Sequence, residues 1–153
     1  CGHTYGANSV FQTDRRELPA GTIEKFGSRL HWREALQLPG AGQMQWGKRA
    51  LEERAYFSRI PDQPIVRGDM GEGSDTLVAT RDDHGSFALA YVPSQRTFEV
   101  DTSVLRGVIV ASWLDPRTGQ KTPIGEYSPE GWTQFTSPHD GPDWVLALDA
   151  KSA

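Results

Sequence analysis

The sequence predicts a chain of mixed class: a helical first part, residues 1–65, followed by an all-β sandwich, residues 66–153. Three observations carry that expectation. Apolar residues at helical spacing are confined to the first part. Short apolar stretches separated by turn residues fill the second. Between the two lies Arg59-Ile-Pro-Asp-Gln-Pro-Ile-Val66, in which Pro61 and Pro64 stop a helix and favour an extended linker.

In chain order, Gly2-His-Thr-Tyr-Gly6 reads as a glycine-rich loop. Residues 27–36 read as a short helix that Leu38-Pro-Gly40 ends, and residues 42–57 as a longer one. At about 100° per residue, Met44, Gly47, Leu51 and Ala55 form one stripe of that helix, and Trp46, Ala50 and Phe57 a second on the nearly opposite side. Gln45, Lys48, Arg49 and Glu52 lie between the stripes, where they face water. A helix apolar on two sides is expected to pack on two sides, wedged between layers or domains. Gly47 would permit a close approach there, at about 1 kcal/mol in helix propensity.

The second part offers strands at residues 76–80, 87–92, 97–100, 108–114, 133–136 and 144–148. Asp82-Asp-His-Gly85 joins the first two as a hairpin turn, with Gly85 free to take positive φ. Asp115-Pro-Arg-Thr-Gly119 is a second turn, with Pro at its second position and Gly at its fifth. Short strands separated by such turns indicate a β-sandwich. Residues 108–114 and 144–148 are apolar on both faces and belong at the centre of a sheet. The single cysteine, Cys1, rules out an intrachain disulfide and with it the immunoglobulin-type bridge.

The 153 residues suffice for one domain or two small ones, but not for a complete (β/α)8 barrel of roughly 250 residues. With 16 basic and 20 acidic side chains the net charge is −4, which speaks against a nucleic-acid partner. No apolar run approaches the roughly 20 residues of a membrane span. The chain opens with Cys1 in place of Met, so a piece of a longer protein is expected; a lipoprotein beginning at a lipidated Cys1 is the alternative.

Gly2-His-Thr-Tyr-Gly6 has the outline of a G-x-S-x-G nucleophile elbow with Thr4 at its centre. That motif needs a strand before it and a helix after it, whereas Gly-Ala-Asn-Ser follows here. His3 and Tyr5 on a glycine-rich loop suit the rim of a polar ligand site, and equally a structural turn with a buried Tyr5. Asp69, Glu72 and Asp75 in Gly68-Asp-Met-Gly-Glu-Gly-Ser-Asp75 lack the EF-hand spacing and read as a solvated loop. Asp82, Asp83 and His84 read as turn residues, and His139, Asp140 and Asp143 as a loop before the last strand, so no metal is expected. No zinc spacing, P-loop or dinucleotide fingerprint appears, and no cofactor is expected. Glu34, Glu52 and Glu53 read as solvated helix faces. Of the five tryptophans, Trp113 and Trp144 fall in apolar strands and belong to a core, while Trp32 and Trp46 read as helix packing. Trp132 follows Pro129-Glu-Gly131 and is the candidate for an exposed, sugar-stacking ring.

These residues resemble the C-terminal portion of the apiosidase-like bacterial glycoside hydrolases, in which a (β/α)8 catalytic barrel precedes a small β-domain known as the "putative collagen-binding domain of a collagenase". Gly2-His-Thr-Tyr-Gly6, with Asn8, Val10 and Gln12, resembles the segment at the last barrel strand. Trp32-Arg-Glu-Ala-Leu36, Leu38-Pro-Gly-Ala41, Gln43, Met44 and Pro61-Asp-Gln63 resemble the final barrel helices and exit. Ala88-Leu-Ala-Tyr-Val-Pro93, Trp113-Leu-Asp-Pro-Arg-Thr-Gly119 and Asp143-Trp-Val-Leu146 resemble the β-domain.

The resemblance implies a helical remnant of the barrel C-terminus followed by the sandwich, and a secreted or periplasmic parent that cleaves glycosidic bonds in complex polysaccharides. It places His3 and Tyr5 at the substrate cleft, as lining only. Glycosidase chemistry needs two carboxylates about 5–5.5 Å or about 6.5–9.5 Å apart, and a barrel supplies them from several strand ends. This chain offers at most one such end, near residues 1–5, so no catalytic residue is expected in it and the chain alone should be inactive. The sandwich is expected to brace the barrel. The alternative is an autonomous module that binds carbohydrate or matrix protein without catalysis, and nothing in the sequence itself supports collagen affinity.

Overall fold

The computed structural model describes residues 32–151. It divides into two compact units, Cys1–Gly47 and Lys48–Ala153. In the first, α1 (Trp32–Ala35) is a single turn; α2 (Pro39–Glu52), whose last five residues belong to the second unit, begins three residues earlier than expected. Leu38-Pro-Gly40 therefore starts a helix as well as ending one: Pro39 occupies the first helical turn, where its missing N–H leaves no bond unmade. Residues 27–31, the predicted beginning of the shorter helix, lie outside the described residues.

The expectation of two-sided packing for the longer helix is not met, since no residue of α2 is buried. The helix also stops at Glu52, short of the predicted residue 57, and Tyr56–Ser58 form a 3-10 turn. Phe57 thereby leaves the helical stripe assigned to it and is 99% exposed. A Cβ added at Gly47 would meet nothing within 4 Å, so no close approach among the described residues explains this glycine.

The second unit is a β-sandwich, as the sequence predicts. Its larger sheet has six strands: β1 (Arg59–Pro61), β3 (Val78–Asp82), β4 (Phe87–Val92), β6 (Ile109–Leu114), β7 (Lys121–Tyr127) and β9 (Trp144–Ala150), in the spatial order β1-β3-β4-β9-β6-β7. The smaller has three, β2 (Val66–Gly68), β5 (Thr97–Asp101) and β8 (Trp132–Thr136), in the order β2-β5-β8. All pairings are antiparallel. The stretch read as an extended linker contains the edge strand β1, a 3-10 turn over Gln63–Ile65 and the start of β2.

The core lies between the sheets. From the larger come Ala88, Ala90 and Val92 of β4, Leu146 and Leu148 of β9, and Ile109, Ala111 and Trp113 of β6. From the smaller come Val66, Phe98, Val100 and Phe135. The rings of Phe98 and Trp113 meet edge-on at 6.4 Å. On the opposite side of the larger sheet, Phe87, Leu89 and Ala147 form a second cluster that Leu51 covers. This explains why β4 and β9 are apolar on both faces: they are central and covered twice.

β7 carries no strand pattern in its sequence, Lys-Thr-Pro-Ile-Gly-Glu-Tyr. It is an edge strand, and its register against β6 shifts between Ala111 and Ser112. Proline and an irregular register are tolerated at an edge and discourage further strand addition there. Both predicted turns form: Gly85 has φ +75° between β3 and β4, and Gly119 has φ +75° between β6 and β7.

Candidate functional site

His3 and Tyr5, the residues placed at a substrate cleft by resemblance, lie outside the described residues. Three predicted loop clusters can be followed.

Loop 68–75 is tied down more firmly than a solvated loop would be. Arg96, whose side chain is 2% exposed, donates from Nη2 to the Asp75 carboxylate at 2.5 Å and to Ser94 Oγ at 2.6 Å. Hydrogen bonds from Ser94 and then Arg96 hold the Asp75 carboxyl below its ordinary value. Arg96 Nη1 is buried without a hydrogen bond among the described residues, 4.0 Å from Asp69. Gly71, at φ +65°, is so close that a Cβ there would lie 2.2 Å from the Asp75 carbonyl oxygen. The Arg96 guanidinium thus sits beside Asp69 and Asp75 in this acidic loop.

Asp82 is buried at the hairpin and accepts from Ser86 N (2.6 Å), Ser86 Oγ (2.7 Å) and Phe87 N (3.2 Å). Burial pushes its carboxyl up, but these bonds outweigh that and hold it below the ordinary value. The third cluster spreads apart. His139 Nδ1 lies 2.6 Å from Gln95 Nε2, and Asp143 accepts from the Tyr91 hydroxyl at 3.0 Å. Withdrawal from water and the Asp143 carboxylate push Tyr91 up to about 12. Among the described residues no three His, Cys, Asp or Glu side chains gather as a metal site requires. Glu52 and Glu53 form exposed pairs with Lys48 (3.6 Å) and Arg49 (2.5 Å), and Glu34 is exposed.

Trp113 and Trp144 are core residues, 5% and 6% exposed, whereas Trp132 is 41% exposed. The smaller sheet alternates: Phe98, Val100 and Phe135 point inward, while Arg67, Thr97, Glu99, Asp101, Trp132, Gln134 and Thr136 form the outward face. Arg67 Nε donates to Glu99 at 2.6 Å, and its guanidinium carbon lies 4.0 Å from the centre of the Trp132 ring. The bond from Arg67 holds the Glu99 carboxyl below its ordinary value. Sequence reasoning found Trp132 but missed Arg67 and Glu99, which come together only through the β2–β5 register.

An open groove of about 840 Å³, mostly apolar, is lined by Leu51, Ala55, Tyr56 and Phe57 together with the charged Lys48, Glu52 and Arg54. Arg54 also forms a bidentate pair with Asp149 of β9 at 2.6 and 2.7 Å and donates to the Ala50 carbonyl. The guanidinium is 6% exposed, so the segment leaving α2 is pinned to the larger sheet. The sequence could not reveal this pair, whose members are 95 residues apart.

Residues 60–149 match the family described as "Putative collagen-binding domain of a collagenase", and residues 1–58 match "Apiosidase-like, catalytic domain". Among solved structures, a protein described as a glycoside hydrolase is 30% identical, with a TM-score of 0.79 over 95% of this chain and 32% of its own. A glycoside hydrolase family 5 protein from Bacteroides vulgatus ATCC 8482 is 30% identical, with a TM-score of 0.77 over 94% of this chain and 31% of its own. The chain spans about a third of the length of these relatives. No curated protein matches it. Among the described residues no helix is long and apolar enough to cross a membrane.

Proposed function

The chain belongs to the family described as "Putative collagen-binding domain of a collagenase", and on that premise we propose that it is the C-terminal part of a glycoside hydrolase acting on complex polysaccharide outside the cytoplasm. The stretch that matches the apiosidase-like catalytic domain, residues 1–58, is the end of the (β/α)8 barrel. β1 and Ile65 belong to the sandwich, so the boundary falls before residue 59 and not at residue 65, and the sandwich braces that barrel. His3 and Tyr5 line its cleft, and the catalytic carboxylates lie on barrel strands that precede Cys1.

The observation that carries the bracing role is the groove at Leu51–Phe57. It lies in the last residues of the apiosidase-like match, which ends at residue 58, and it presents a fully exposed Phe57 on a segment pinned by the Arg54–Asp149 pair. A contiguous exposed apolar surface on a pinned segment is suited to a permanent neighbour. The match of residues 1–58 to a catalytic domain supports the barrel as that neighbour.

The test is to express the gene product from its own start, with and without residues 59–153, and assay hydrolysis of a small aryl glycoside and of polysaccharide. A brace predicts that deletion lowers Tm and activity on both substrates. Undiminished activity on both would overturn the bracing role. The second reading, an autonomous carbohydrate-binding module, is favoured by the exposed Trp132; it predicts that deletion spares the aryl glycoside and impairs only the polysaccharide.

A further inference from the structure

We propose that the outward face of the β2-β5-β8 sheet, centred on Trp132, binds neutral pyranose-containing glycan chains. This rests on the reading that the protein acts on glycans, and it assigns a ligand to a surface remote in sequence from His3 and Tyr5.

The site is built. Trp132 holds its ring 41% exposed on a strand whose other outward residues, Gln134 and Thr136, are polar. The Arg67 guanidinium, 4.0 Å from the ring centre, covers one face of the indole, and Glu99 holds that guanidinium at 2.6 Å, so the opposite face is the one offered to a sugar. A ring packed on a guanidinium that is itself held by a carboxylate loses little freedom on binding, the condition under which stacking yields affinity. Thr97 and Thr136 share a hydrogen bond at 2.8 Å, which orders the far end of the face. From Trp132 to Thr136 the row runs about 13 Å at the usual rise of about 3.3 Å per residue, enough to meet more than one sugar ring.

The chemistry selects the ligand. The face holds one guanidinium and two carboxylates, Glu99 engaged by Arg67 and Asp101 by Ser103 at 3.0 and 2.6 Å. Polyanions such as nucleic acid need a basic surface, which this is not. A protein partner of ordinary affinity needs an apolar centre wider than one ring. A pyranose offers a flat C–H face for the indole and a girdle of hydroxyls for Gln134, Thr136 and the Arg67–Glu99 pair, and it brings no charge to be neutralised.

The experiment is affinity electrophoresis of the 153-residue chain in gels containing xyloglucan, arabinoxylan or galactomannan, with immobilised collagen in parallel. We expect retardation by at least one glycan, weakened at least tenfold by Trp132→Ala and about threefold by Gln134→Ala. Retardation by none of the three, equal retardation of both variants and the parent sequence, or retention on collagen alone would overturn the proposal. Should Trp132→Ala fail to fold, Gln134→Ala decides it. An intact gene product that cleaves glycosides while this face binds no glycan leaves the enzymatic reading standing and removes the site. Trp132-dependent glycan binding in a protein that cleaves no glycoside does the reverse.

Discussion

Asp82 shows how a turn residue becomes a structural acid. Its buried carboxylate accepts three hydrogen bonds at the start of β4, so Asp82→Ala should cost about 1–3 kcal/mol in urea unfolding, because the Ser86 and Phe87 amides lose their acceptor. The folded-state carboxyls of Asp82 and Asp115 both titrate below their ordinary value near 3.8. For Asp115 too, burial opposes the shift and the bonds from Arg117 outweigh it. The stabilisation from each is therefore complete above the ordinary carboxylate range and disappears as pH falls through that range to the depressed value. The unfolding midpoint should drop between pH 5 and pH 2 (on the order of that carboxylate range), and Asp82→Ala should flatten the drop. At Gly85 the backbone is left-handed and a Cβ would sit 2.7 Å from the Val104 carbonyl oxygen. Gly85→Ala should lower stability by about 2 kcal/mol in the same assay.

Among the elements, α2 and β7 mark where sequence pattern informs and where it fails. Strands β4, β6 and β9 were legible because burial on one or both faces writes itself as apolar residues. β7 was not, because an edge strand 36% exposed at Ile124 and interrupted by Pro123 owes its conformation to pairing with β6. The end of α2 was misplaced because apolar spacing persists through Phe57 while the chain turns at Arg54 to reach Asp149. The ion pairs of Arg54, Arg67 and Arg96 depend on tertiary proximity, which no local pattern encodes. Since nothing among the described residues lies within 4 Å of a Cβ at Gly47, Gly47→Ala should stabilise the helix by about 0.5–1 kcal/mol, measurable as added amide protection over residues 44–52. Arg54→Met should have the opposite effect there. It removes a guanidinium that is 6% exposed and leaves Asp149 with Lys121 at 3.4 Å; a loss of about 1–3 kcal/mol and faster exchange are expected.

For the whole molecule, the exposed groove governs behaviour in solution. If the catalytic barrel is its natural neighbour, the isolated chain should self-associate at high concentration, and Phe57→Ser should shift sedimentation velocity profiles towards monomer without lowering Tm. An unchanged profile would mean that the groove is tolerated bare. A different consequence follows from where β9 lies. The last strand in the sequence occupies the middle of the larger sheet, between β4 and β6. While the ribosome is still short of residue 144, the nascent polypeptide holds two separate half-sheets, each with an inner border of unanswered amides and carbonyls. Assembly therefore waits for translation to pass residue 150, and a premature stop or a nick that removes β9 divides the sheet at its seam.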